Sequence, residues 1–210
     1  MTADAFHALL AHDRASAILR TPIESAAAPA MRAAIDAGFR IVEFTLTTPG
    51  AFDRISEFAA DDSLMVGAGT VLTTDDAKRA VDAGASFLVS PITDPEVIGT
   101  AVSLGVPMIP GTYTPTDMLT AHRAGAAYQK LFPLPASPEA YIRACLGPMP
   151  FLKIVPTSGV TPDNAASLLR AGAHAVGFVA CLFDPADMDA ERWSAIRGRA
   201  ARCLDAVRRA

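Results

Sequence analysis

The sequence predicts a (β/α)8 TIM barrel, an α/β fold formed by one domain over residues 1–210. Three observations carry this expectation. Short β-branched or apolar runs start roughly every 20 to 26 residues, the length of one strand, one helix and two short loops. Eight such runs fit into 210 residues, close to the lower size limit of that barrel. Most of the runs are apolar nearly throughout, as parallel strands covered on both faces are. An open doubly wound sheet normally carries fewer strands and a glycine-rich first turn, and neither is present.

In chain order the strand runs are Ala15–Arg20, Ile41–Leu46, Leu64–Gly69, Ser86–Pro91, Val106–Gly111, Ala127–Phe132, Phe151–Ser158 and His174–Val179. Helical patterns lie between them, at Ala27–Ala37, Thr74–Asp82, Asp94–Leu104 and Thr116–Ala124. Several helices run into a glycine that leads to the next strand: Gly38, Gly84, Gly125 and Gly172. Glycine takes the left-handed cap without a Cβ penalty. Thr161-Pro162-Asp163-Asn164 reads as a helix start, with a capping hydroxyl and a proline in the first turn. At the flanks, Phe6, Leu9 and Leu10 are expected to plug the barrel bottom. Trp193, Ile196, Ala200, Leu204 and Val207 form one face of a closing amphipathic helix.

Composition excludes several classes. Half the residues are hydrophobic (51%) and 19% are charged, so the chain is not disordered. A net charge of -4 provides no basic field for a nucleic acid or an anionic membrane. Cys145, Cys181 and Cys203 are odd in number and widely spaced, which builds neither a disulfide framework nor a metal motif. His7, His12, His122 and His174 lack ligand spacing, so no metal site is expected. Residues 1–14 lack a basic region followed by an apolar run, and no stretch reaches the length of a membrane span. The plain reading is a reduced, soluble, cytoplasmic protein.

Barrel chemistry sits at the carboxyl ends of the strands. Those positions hold Arg20, Glu43, Gly69-Thr70, Ser90-Pro91, Gly111-Thr112, Lys130 followed by Phe132, Thr157-Ser158-Gly159 and Gly177 to Val179. Lys130 lies in an apolar strand, where an ammonium must leave water. Burial lowers its pKa and yields a neutral amine able to attack a ketone. An outward lysine that snorkels to water, or a partner of an acid, is the alternative. Glu43 offers a carboxylate to move protons beside an iminium; an ion pair with Lys130 or Arg20 is its bland alternative. Gly159 with Thr161 and Pro162 could cradle an anion on backbone N–H groups, although any strand-to-helix turn has such residues. Lys153 sits early in its strand, away from the rim.

Several segments resemble the 2-keto-3-deoxy-6-phosphogluconate (KDPG)/4-hydroxy-2-oxoglutarate (KHG) aldolases. They are Val42-Glu43-Phe44-Thr45-Leu46, Val66-Gly67-Ala68-Gly69-Thr70-Val71-Leu72, Val89-Ser90-Pro91, Ile109-Pro110-Gly111, Lys130-Leu131-Phe132-Pro133 and Pro156-Thr157-Ser158-Gly159-Val160. The resemblance implies a class I aldolase that cleaves a 4-hydroxy-2-oxo acid to pyruvate and an aldehyde without cofactor or metal, as a homotrimer. It makes Lys130 the Schiff-base lysine and Glu43 the general acid/base. Thr70 would lie near the pyruvate carboxylate, Pro91 and Phe132 would line the pocket, and Thr157, Ser158 and Gly159 would meet a phosphate. The resemblance likewise sets Gly177 in the second phosphate segment.

Two positions depart from the family pattern. Thr47 stands where the gluconate-type enzymes carry an arginine, and Arg20 is similar to an arginine of the galactonate-type relatives. Val179 replaces a serine at the phosphate, which points to a weaker preference for phosphorylated substrates. Two other readings stay open: a phosphate-binding isomerase or synthase, and an inactive barrel that binds a 2-oxo acid.

Overall fold

The computed structural model describes residues 2–210; Met1, the first residue of the stretch read above for a leader, lies outside them. Strands and helices alternate. The strands are β1 (Ala15–Leu19), β2 (Ile41–Thr45), β3 (Met65–Gly69), β4 (Phe87–Val89), β5 (Met108–Ile109), β6 (Gly111–Thr112), β7 (Gln129–Leu131), β8 (Ile154–Pro156) and β9 (Val176–Phe178). The helices are α1 (Ala3–Asp13), α2 (Glu24–Asp36), α3 (Ala51–Ala59), α4 (Thr74–Asp82), α5 (Pro95–Ser103), α6 (Pro115–Arg123), α7 (Pro138–Leu146), α8 (Ala165–Arg170), α9 (Pro185–Asp189) and α10 (Trp193–Arg208). None is long and apolar enough to cross a membrane.

All strand pairs are parallel and form two curled sheets, ordered β5-β4-β3-β2-β1-β9 and β6-β7-β8. The expected strand Val106–Gly111 is thus two segments rather than one. Pro110 divides them, because proline has no N–H to give a ladder. Its carbonyl still accepts from Lys130 N–H at 2.9 Å. At the other seam Thr157 and Gly177 form an isolated parallel bridge, and His174 N–H reaches Ile154 O at 2.8 Å.

Strand alternation sorts side chains into two cores. Val42 and Phe44 face the helical layer with Ala17 and Leu19. Ile41, Met65, Phe87, Val89, Ile109, Tyr128, Val155 and Ala175 face inward, where α1 inserts Phe6 and Leu10, with Leu9 packed at the edge. The plug expectation is met, and the Phe6 ring stacks on Phe87 with centroids 4.6 Å apart. Burying a side chain of that size contributes roughly 2–3 kcal/mol. The closing helix buries Ile196, Ala200, Leu204 and Val207, with Trp193 half-buried.

Helix starts follow local chemistry, with two corrections. Thr73 and Thr114 close capping boxes with Asp76 and Asp117 on α4 and α6, satisfying two orphan donors each. The second helix begins at Glu24 rather than Ala27 and carries Pro29 inside. Burial of Ala26, Ala27, Ala30, Met31, Ala33 and Ala34 outweighs the one lost backbone bond. The helix expected from Thr161 begins instead at Ala165. Thr161 Oγ1 does accept from Asp163 N–H (3.3 Å), but it shapes a turn, and Asn164 bonds back to that turn. The helix-ending glycines behave as expected; Gly84 and Gly172 have φ of 101° and 108°.

Candidate active site

Glu43 lies on β2, opposite Gly67 of β3 and Ile18 of β1, and is 2% exposed. Its carboxyl folds upward over the end of β3. A Cβ at Gly69 would sit 1.9 Å from Glu43 Oε1, so only glycine leaves room there. One residue pair earlier, Gly67 makes space for the Phe87 ring, 2.3 Å from a notional Cβ. The Gly-Ala-Gly run therefore accommodates a plug contact and a carboxyl in successive layers. Oε1 has no hydrogen-bond partner within the protein. Burial pushes the Glu43 carboxyl above the usual carboxylate range, opposed by Lys130 and then Arg20.

Lys130 comes from β7, between Gly111 of β6 and Val155 of β8, and is 5% exposed. The snorkelling alternative is thereby excluded. Desolvation holds its amine below the usual lysine range; Glu43 opposes that shift and Arg20 adds to it. Its Nζ lies 5.0 Å from the centroid of the half-buried Phe132 ring. Glu43 and Lys130 both line a cavity of about 10 Å³ above the plug, with Ser16, Ile18 and Thr157. Among the described residues, no contact ion pair joins Glu43 to Lys130 or Arg20. Burial thus pushes both groups toward their neutral forms, within electrostatic reach of one another.

Arg20 follows β1 and is exposed. It donates to Thr70 Oγ1 at 3.4 Å, with Thr70 held at φ 61°. A β-branched residue in the left-handed region is strained, a condition that clusters at functional sites. Pro91, half-buried, lies two residues past β4, and its carbonyl packs so closely on Gly111 that a Cβ there would lie 2.2 Å away. Thr47 is exposed and shares a hydrogen bond with Thr45 at 3.1 Å.

Beside Arg20 opens a cavity of about 450 Å³ lined by Ser158, Gly159, Val160, Thr161, Val179 and Ala180, then Cys181, Phe183 and Pro185. The expected phosphate residues Ser158 and Gly159 are there, at φ 65° and 96°. Thr157 is buried beneath them, and Gly177 faces it across the seam, where a Cβ would approach Thr157 Oγ1 to 3.0 Å. Asn164 was not singled out as a site residue, yet its amide ties the loop down. Nδ2 donates to Gly159 O at 2.9 Å and Oδ1 accepts from Thr161 N–H at 2.8 Å. An asparagine three residues after a threonine in a turn is its local signal. Cys181, Phe183 and Pro185 had no such signal, because the loop that carries them turns back over the pocket only in the fold. Lys153 is exposed at the opposite end, its Nζ 5.5 Å from the Tyr128 ring.

A family model described as KDPG and KHG aldolase matches residues 7–198. The chain is 35% identical over 172 residues to the probable 2-dehydro-3-deoxy-6-phosphogalactonate aldolase of Rhizobium meliloti (strain 1021), covering 80% of this chain and 81% of that protein. It is also 35% identical over 170 residues to the 2-dehydro-3-deoxy-6-phosphogalactonate aldolase of Escherichia coli (strain K12), covering 80% and 83%. Among solved structures, the KDPG aldolase of Legionella pneumophila holds pyruvate as a covalent carbinolamine intermediate. It matches with a TM-score of 0.84 at 25% identity, over 92% of this chain and 95% of that one. A lysine and a carboxyl brought together inside a parallel α/β sheet, within segments that match along nearly the whole chain, place this protein in the KDPG and KHG aldolase family.

Proposed function

We propose that the protein is a class I aldolase, a lyase that reversibly cleaves a 4-hydroxy-2-oxo acid to pyruvate and an aldehyde. The observation that carries this is the buried Lys130 amine beside the buried Glu43 carboxyl. The neutral amine attacks the 2-keto carbon, the protonated Glu43 carboxyl gives its proton to the carbinolamine hydroxyl, and departure of water leaves a cationic iminium beside a Glu43 carboxylate. The iminium accepts the C3–C4 bonding pair once Glu43, as carboxylate, takes the 4-hydroxyl proton. The aldehyde departs and Glu43 returns its proton to C3 of the enamine. Hydrolysis then frees pyruvate, restores the neutral Lys130 amine and returns the released proton to Glu43. Arg20 and Thr70, joined at 3.4 Å, hold the substrate carboxylate, a positioning role that contributes several kcal/mol. Pro91 and Phe132 wall the pyruvate end.

Incubation with pyruvate and borohydride followed by peptide mapping tests the assignment. The expected adduct is on Lys130; an adduct elsewhere, or none, overturns it. An isomerase or synthase using Lys130 as a base would give no adduct, and a sensor would bind pyruvate without turnover.

The wider end of the site favours a particular substrate range. Among the described residues, Arg20 is the one charged side chain lining the 450 Å³ cavity, and Val160, Val179, Ala180, Phe183 and Pro185 are apolar. Ser158, Gly159 and Gly177 leave half a phosphate cradle. Non-phosphorylated 4-hydroxy-2-oxo acids should therefore reach a kcat/KM at least comparable to that of the 6-phosphates. A coupled pyruvate assay across both sets checks this, and a large preference for phosphorylated substrates refutes it.

At the level of the molecule we read the two sheets as one closed eight-stranded barrel in a single domain. The support is the Thr157–Gly177 bridge at one seam and the Pro110 carbonyl bond at the other. We read the assembly as a homotrimer. Leu72, Ile92 and Tyr113 are 45%, 47% and 44% exposed and follow neighbouring strands at one rim, a grouping that marks a protein–protein contact. Three free thiols fit a reducing compartment such as the cytoplasm.

A further inference from the structure

A row of inward-facing residues runs across β2, β1, β9, β8 and β7 below the rim. On β1, Ala15, Ala17 and Leu19 pack into the helical layer, so Ser16 and Ile18 face the interior. Ser16 is in register with Gly177 of β9, and Gly177 bridges to Thr157, just past β8. A glycine therefore separates two buried hydroxyl residues. A Cβ on it would lie 2.7 Å from Ile18 Cδ1 and 3.0 Å from Thr157 Oγ1. On one flank Ile18 is in register with Glu43; on the other, Lys130 pairs with Val155, two residues before Thr157.

Ser16, Thr157, Glu43 and Lys130 all line the cavity of about 10 Å³ above the plug. One water needs roughly 10–15 Å³ of such space and two to four polar partners. A cavity of that size brings every lining side chain within reach of one molecule. Phe6, Leu10 and Phe87 supply an apolar floor, so the hydrogen bonds of a water there go to the four polar side chains. Thr157 gives its hydroxyl proton to Val155 O at 3.4 Å and keeps its lone pairs. Glu43 Oε1 is buried with no partner in the protein. Among the described residues no contact ion pair closes the gap between Glu43 and Lys130. Polar groups separated beyond direct contact are joined by a bridging water.

We propose that Ser16 and Thr157 are positioning residues that hold one ordered water beneath Glu43 and Lys130, and that this water returns a proton from the lysine nitrogen to the carboxyl between its two uses. The role in proton return rests on the aldolase reading. As the N–C bond forms, the Glu43 carboxyl gives its proton to the keto oxygen, and the nitrogen is left with one proton too many. The water takes that proton and passes one of its own to the Glu43 carboxylate. The water is unchanged, the carbinolamine is neutral, and Glu43 again holds the proton it gives to the departing hydroxyl.

A crystal structure of the protein tests the site directly. The expected result is a single density peak within about 3.2 Å of Ser16 Oγ; a cavity without density overturns the proposal. Ser16→Val fills the space and expels the water. It should lower kcat about tenfold with KM unchanged, and change a curved dependence of kcat on the deuterium content of the solvent into a linear one. Ser16→Ala, which cannot overpack, serves if valine unfolds the core; it removes one partner of the water and should lower kcat in the same direction. An unchanged kcat, a loss in KM alone, or a linear dependence in the parent protein overturns the relay. The density is independent of the aldolase reading: a water in place with no borohydride adduct on Lys130 refutes that reading alone. An adduct on Lys130 above a cavity without density refutes the water site alone.

Discussion

At residue scale the site depends on space as much as on charge. Gly69 has no side chain because the Glu43 carboxyl occupies that position, 1.9 Å from where a Cβ would be. Gly69→Ala must displace the carboxyl from its proposed place beside the reacting carbon, and a displacement of about 1 Å costs on the order of 100-fold in rate. The expected outcome is a fall in kcat of that order, with the thermal transition lowered by an overpacking cost of about 1–3 kcal/mol. Glu43→Gln keeps the shape and removes the proposed base, so it should lower kcat while still forming the pyruvate adduct at Lys130. Lys130→Met fills the same space and abolishes both. These outcomes separate positioning from chemistry. Glu43 and Lys130 were legible in the sequence because a charge within an apolar strand has few structural explanations. Asn164 was not, since a turn asparagine looks the same whether or not its loop borders a site.

The elements add a pH dependence at the end of the curled sheets away from Lys130. His7 of α1 bonds Tyr128 Oη at 2.7 Å, and His174, whose Nε2 is buried without a partner, packs on the same ring. Burial lowers both histidines below 6.5; Lys153 lowers them further, Arg14 and His7 add to the effect on His174, and Asp4 opposes it on His7. A lowered folded pKa means that the unfolded chain binds protons first as the pH falls. The stabilisation is therefore complete above pH 6.5 and drains as the pH drops from 6.5 through the lower folded values. Urea midpoints measured across that range should fall on the acid side, and Tyr128→Phe should lose about 1 kcal/mol at neutral pH. On the helices, Thr114→Ala removes the α6 capping box and should cost about 1 kcal/mol by thermal melting. The helix-ending glycines were read correctly because they depend on residues a few positions apart, as at Gly84 and Gly172. The starts of α2 and α8 were not, because packing and an asparagine turn overrode the local signals.

For the whole molecule, the apolar rim at Leu72, Ile92 and Tyr113 predicts assembly. Light scattering should give three chains, and Ile92→Glu should shift the mass toward the monomer while the single chain still forms the pyruvate adduct. The order of strands and helices, the two-sided burial of the sheet and the aromatic plug all followed from periodicity and composition. Each of these is set by neighbours along the chain, where a period of two or of 3.6 residues fixes which side chains share a face. Register, the division at Pro110 and the seat of Glu43 over Gly69 were decided only by the tertiary structure. They join residues far apart in sequence, and such distances are set by how twisted strands slide and curl together, for which no local pattern is a record.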